Sequence, residues 1–150
     1  MHDKRIIGVI GASSADDNVL NDAEIVGRLL AEQGVVLICG GLGGVMEAAA
    51  KGAKTAGGIT IGILPEASRH HANPFIDIPI ATGFGEGRNI IIVRSADVII
   101  ATNGEYGTLS EIAFALKNGK PVIGLNTWDI KGVLKATSPA HAVALALAYL

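Results

Sequence analysis

The chain has 150 residues, 49% of them apolar and only 17% charged, with a formal net charge of -2. A chain this long buries about two-thirds of its unfolded surface and fits one domain, residues 1–150. The charge balance leaves no basic stripe for a nucleic acid to follow, the single Cys39 excludes an intrachain disulfide, and no apolar run approaches the roughly 20 residues of a membrane helix.

In chain order, Arg5–Gly11 (RIIGVIG) reads as a first strand, and its apolar run is too short for a secretory signal. A reducing cytoplasm is the expected location. The stretch NDAEIVGRLLAEQG (Asn21–Gly34) has a capping residue, apolar Ile25, Val26, Leu29 and Leu30 at helical spacing, and a terminal glycine. Val35–Cys39 is a second strand, and Cys39 at its end reads as a small buried side chain. GVMEAAAKGAKTAGG, from Gly44, is an alanine-rich helix, followed by a strand at Ile59–Leu64. RHHANP (Arg69–Pro74) reads as a solvated loop, because adjacent histidines there point apart; no metal site is expected. Phe75–Gly83 is a weaker strand that Pro79 confines to an edge. GRNIIIVRSA predicts a short helix from Gly87, Asp97–Thr102 a strand, GTLSEIAFALKNG a helix from Gly107, and Pro121–Leu125 another strand. The last helix opens at Ser138 as cap with Pro139 in its first position.

The strands carry Val and Ile on both faces, as strands between two helical layers do. Strand–helix alternation of this kind predicts an α/β fold: a Rossmann-like, doubly wound, mostly parallel sheet with helices on both faces. The low charge content predicts a covered apolar face, in a homodimer or homotetramer.

Glycine is the outlier, twenty in 150 residues, about twice the usual share of roughly 7%. The glycines gather at strand ends, in GASS (Gly11–Ser14), CGGLGG (Cys39–Gly44) and TNGEYGT (Thr102–Thr108). Ligands of doubly wound sheets sit outside those ends. A helix start offers free N–H groups and a partial positive charge, so it attracts phosphate. Gly40, Gly41, Gly43 and Gly44 bare one such start, and Gly104, Gly107 and Thr108 another. Gly11, Ser13 and Ser14 add further backbone and hydroxyl donors. Tight strand–helix turns use glycine too, which is the plainer reading of any one of them. The spacing is neither the dinucleotide fingerprint nor a P-loop.

CGGLGGVMEAAAKGA together with GRNIIIVRSADVIIATNGEYGTLSE resembles the Lonely Guy superfamily, some of whose members carry a lysine decarboxylase label. Within it the chain looks most like the short branch that includes molybdenum cofactor carrier proteins. That resemblance implies a phosphate-bearing small molecule as ligand, of nucleotide or pterin type, with molybdenum cofactor or a nucleotide bound and no cofactor required for chemistry. The better-characterised relatives are phosphoribohydrolases that split a nucleoside 5'-monophosphate at its N-glycosidic bond. Laid onto this chain, their arginine falls on Arg88 and their glutamate on Glu111, catalytic only under that hydrolase alternative. Read from the residues alone, Arg88 can grip a phosphate or ribose oxygen, or serve as a surface ion-pair partner. Glu111 can stabilise a ribosyl cation, or simply be a helix acid favoured by the dipole.

Departures weaken hydrolysis more than binding. Asn103-Gly104-Glu105 replaces the relatives' Pro-Gly-Gly, putting a carboxylate where phosphate approaches, and Ser110 stands where the enzymes often carry an acid. Decarboxylation finds no support, since the lysines read as solvated rather than as Schiff-base formers. Tyr106 is placed to stack on a ligand ring, and Trp128 reads as packing or interface.

Overall fold

The computed structural model describes residues 3–150. Its order is β1 (Ile6–Gly11), α1 (Asp17–Glu32), β2 (Val36–Cys39), α2 (Val45–Thr55), β3 (Thr60–Leu64), β4 (Ile78–Ala81), α3 (Arg88–Ser95), β5 (Val98–Thr102), α4 (Tyr106–Lys117), β6 (Val122–Leu125), β7 (Val133–Ala136) and α5 (Pro139–Leu147). One sheet holds all seven strands, in the order β4-β3-β2-β1-β5-β6-β7. Every neighbouring pair is parallel. The chain builds outward from β1 to β4, then returns to lay β5 on the other side of β1. This is the doubly wound Rossmann-like α/β arrangement expected, and its topological switch point falls between β1 and β5.

Two cores flank the sheet. On one face α1, α2 and α5 bury Val26, Leu30, Ala49 and Val143 against Ile7, Leu37 and Ile100. On the other, α3 and α4 bury Ile92 and Ile112 against Ile10, Ile38, Ile63 and Ile99. Alternate residues of the central strands feed opposite cores, which is why those strands lack a polar face.

Helix ends follow local chemistry. α1 begins earlier than the apolar spacing suggested, because the Asp16 carboxylate accepts a hydrogen bond from the Val19 N–H at 3.0 Å and caps it there. Ser138 caps α5 as expected, accepting from the His141 N–H at 3.1 Å, with Pro139 in the first position. Two features depart from the sequence reading. β4 is shorter than Phe75–Gly83, and β7 was not foreseen at all. It runs parallel to β6 across a short loop with no crossover helix. Among the described residues, no helix is long and apolar enough to cross a membrane.

Candidate functional site

Outside the carboxyl ends of β1 and β5 lies a cleft of about 460 Å³, within the range of small-molecule sites. Three chain segments meet there because the sheet reverses its winding at this point. β1 ends in Gly11 and continues into Ala12, Ser13 and Ser14; the turn before α2 contributes Gly40 and Leu42, and the first turn of α2 Met46; α4 contributes Tyr106, Gly107, Thr108 and Glu111. Arg88 and Asn89 enter from the start of α3.

The glycines divide by what a side chain would strike. At Gly40 a Cβ would lie 2.5 Å from the Met46 sulfur and 2.7 Å from Arg88 Nη2, so its absence makes room for the guanidinium. At Gly11 a Cβ would lie 2.4 Å from the Thr102 carbonyl oxygen, where the ends of β1 and β5 abut. Gly107 is different: nothing stands within 4 Å of an added Cβ, so the start of α4 is open. Gly41, Gly43, Gly44 and Gly104 are not among the residues lining the cleft. Gly41 packs on Leu64 and β3, and Gly43 approaches the Ser13 carbonyl. Gly44, with φ 64°, passes so close to the Ala12 carbonyl that a Cβ would sit 2.3 Å from it. Gly104 folds tightly over Thr108.

The two helix starts are not equivalent. Neither is capped by a side chain. At α2, however, the Val45 N–H already donates to the Ala12 carbonyl at 2.9 Å. At α4, Gly107 and Thr108 face the cleft in the first turn, where helix N–H groups lack intrahelical partners.

Arg88 and Glu111 lie deep, at 9% and 8% exposure. Arg88 is held by its Nε–H donating to the Ile63 carbonyl at 2.9 Å and by Nη1–H donating to the Asn89 side-chain oxygen. Burial lowers its pKa, opposed chiefly by the negative charge of Glu111. No hydrogen bond or ion pair to a described residue engages the Glu111 carboxylate, which borders the cleft. Burial pushes its pKa up to about 7, with Arg88 pulling the other way. Cys39 lies fully buried nearby, its thiol pushed up to about 11 by the same desolvation. It is an inert packing residue, as the sequence suggested.

Sequence reasoning overlooked Glu86 and Asn89, both in the cleft wall. Their signal was adjacency to Arg88, in GEGRN. Glu105, the departure noted above, is exposed and borders the cleft, so three carboxylates (Glu86, Glu105 and Glu111) and one guanidinium line it.

An all-parallel sheet with a crevice at its switch point defines a Rossmann-like α/β protein. The SLOG cluster4 family model matches residues 4–147, and the chain belongs to that family. A protein of Archaeoglobus fulgidus described as uncharacterized is 52% identical over 138 residues, 91% of each chain. The molybdenum cofactor binding protein of the phototrophic bacterium Rippkaea orientalis is 43% identical with a TM-score of 0.93, over 99% of this chain and 98% of that one. The molybdenum cofactor carrier protein of Chlamydomonas reinhardtii is 38% identical with a TM-score of 0.87, over 98% of both chains. The resemblance carried by the two glycine motifs is thus borne out.

Proposed function

We propose that the cleft binds a phosphate-bearing ligand of pterin or nucleotide type, and that the chain is a carrier of molybdenum cofactor, as its structural relatives are described. The observation that carries this reading is the uncapped start of α4 opening into a cleft that also holds a buried guanidinium. Phosphate on the amides of Gly107 and Thr108 would meet the positive end of the helix, with Arg88 Nη2 as a further donor. Ser13 and Ser14, which line the same cleft, would add hydroxyl donors. Gly40, Gly41, Gly43, Gly44 and Gly104 shape these turns, and on this reading only Gly40 borders the ligand directly. A carrier needs tight, selective binding without turnover, and an open helix start beside one buried cation suits that task.

Calorimetry with inorganic phosphate, AMP and a pterin phosphate tests the reading. Binding is expected for at least one, weakened by Gly107→Ala, whose methyl would crowd the amides, and tightened by Glu105→Gly, which removes a repelling carboxylate. No heat with any of them overturns it.

One observation favours the hydrolase as second reading: a buried, unpartnered carboxyl with a pKa of about 7 beside an arginine is suited to proton transfer at neutral pH. Release of adenine from AMP, abolished by Glu111→Gln, would establish it. No base released from any purine monophosphate would leave the carrier reading alone.

A further inference from the structure

Tyr106 is 80% exposed, more than any other large apolar or aromatic side chain among the described residues, yet it has a ring partner. Its ring centroid lies 6.0 Å from that of Trp128, with the planes inclined by 30°, within the range of favourable aromatic pairs. Trp128 is itself pinned. Its Nε1–H donates to the Glu105 carbonyl at 3.1 Å, and the neighbouring Thr127 hydroxyl donates to the Asn103 carbonyl at 2.6 Å. The indole also packs against the core between sheet, α3 and α4. The loop after β6 is therefore stitched to the loop before α4, and what the pair presents is one tyrosine ring at the cleft rim.

An exposed ring already held in place spares a flat partner the cost of ordering it on binding. Tyr106 directly precedes Gly107, and the nine-tenths-buried, unpartnered Glu111 lines the same cleft. We infer that Tyr106, backed by Trp128, is a stacking shelf for a fused nitrogen heterocycle whose phosphate lies on the adjoining start of α4. This rests on the ligand reading above and adds to it the residues that take the ligand's ring. It also gives Trp128, read from sequence as packing or interface, a place in the ligand subsite.

Trp128 is the single tryptophan of the chain, so its fluorescence reports on the shelf directly. GMP and ribose 5-phosphate share a phosphate and differ by the ring. Saturable change in tryptophan emission is expected with GMP and none with ribose 5-phosphate, while calorimetry registers binding of both. Tyr106→Ala is expected to weaken GMP about tenfold, in line with ring stacking on an aromatic, and to leave ribose 5-phosphate unchanged. Tyr106→Phe is expected to bind GMP like the parent, because the ring and not the hydroxyl does the stacking. Equal loss for both ligands in Tyr106→Ala, or undiminished GMP binding, overturns the shelf and leaves the phosphate site standing. Absence of binding by either ligand removes the phosphate reading and the shelf with it. Emission that shifts on dilution and not with GMP would assign the aromatic pair to a contact between copies, also overturning the proposal.

Discussion

Glu111 carries a charge that the fold disfavours. Its folded pKa of about 7 stands above the ordinary 4.5, so the native state holds a proton that the unfolded chain releases between those values. Stability therefore falls as pH rises through that window, and is flat on either side of it. The offset corresponds to about 3 kcal/mol once the carboxyl is ionised in both states. Glu111→Gln is expected to raise stability at pH 8 by about 2–3 kcal/mol and to flatten the dependence below neutrality. Urea unfolding at pH 5 and pH 8 checks this; equal stability of parent and variant at both would contradict it. The identity of this residue was legible only through the family resemblance, whose glutamate falls on it; from the residues alone it read equally well as a helix acid. Its depth was not, because burial depends on how α3 closes over α4, which no local pattern encodes.

At the scale of elements, α1 and α2 meet more closely than ordinary helices. A Cβ on Gly27 would lie 1.9 Å from the Ala49 carbonyl oxygen, and one on Gly52 would lie 1.9 Å from that of Glu24. Each helix thus sets a glycine against the other's backbone. Replacing Gly27 with alanine raises helix propensity by about 1 kcal/mol, but the clash is with main chain and cannot be relieved by a rotamer. A net destabilisation of about 1–3 kcal/mol is expected, read as a lower thermal midpoint; a rise would show that the helices can part freely. These glycines lie inside helical patterns, and sequence alone could not say what faced them. Elements with strong local signals were legible: the buried strands, Ser138-Pro139 at α5, the glycine turns. The start of α1 was not, because Asp16 caps from within a run, SSADDN, that also reads as loop. β7 escaped because four residues with an exposed Leu134 and Lys135 carry no alternation, and its pairing with β6 is supplied by tertiary context.

For the whole molecule, burial grades from the centre of the sheet to its edges. β5 and β2 are buried throughout, whereas Ile78 and Ile80 on β4 are 46% and 45% exposed. Hydrogen exchange is expected to be slowest in β1 and β5 and fastest in β4 and β7. Protection of β4 as strong as that of β2 would mean that another copy covers this edge, the homo-oligomer that the sparse charge of the chain suggests. The doubly wound arrangement was legible from alternation alone; the strand order was not. Which strand ends would converge was legible only through the switch-point rule, and the cleft's volume not at all.

The helices are shared unequally, three on one face of the sheet and two on the other, and the cleft straddles the difference. Met46 and its turn hang from the thicker layer, where α1 grips α2 backbone to backbone. Arg88, Tyr106 and Glu111 hang from the thinner layer, on an eight-residue helix and its single neighbour. The two walls of the site thus belong to different helical layers, so the fit around a guest depends on how the sheet between them spaces those layers.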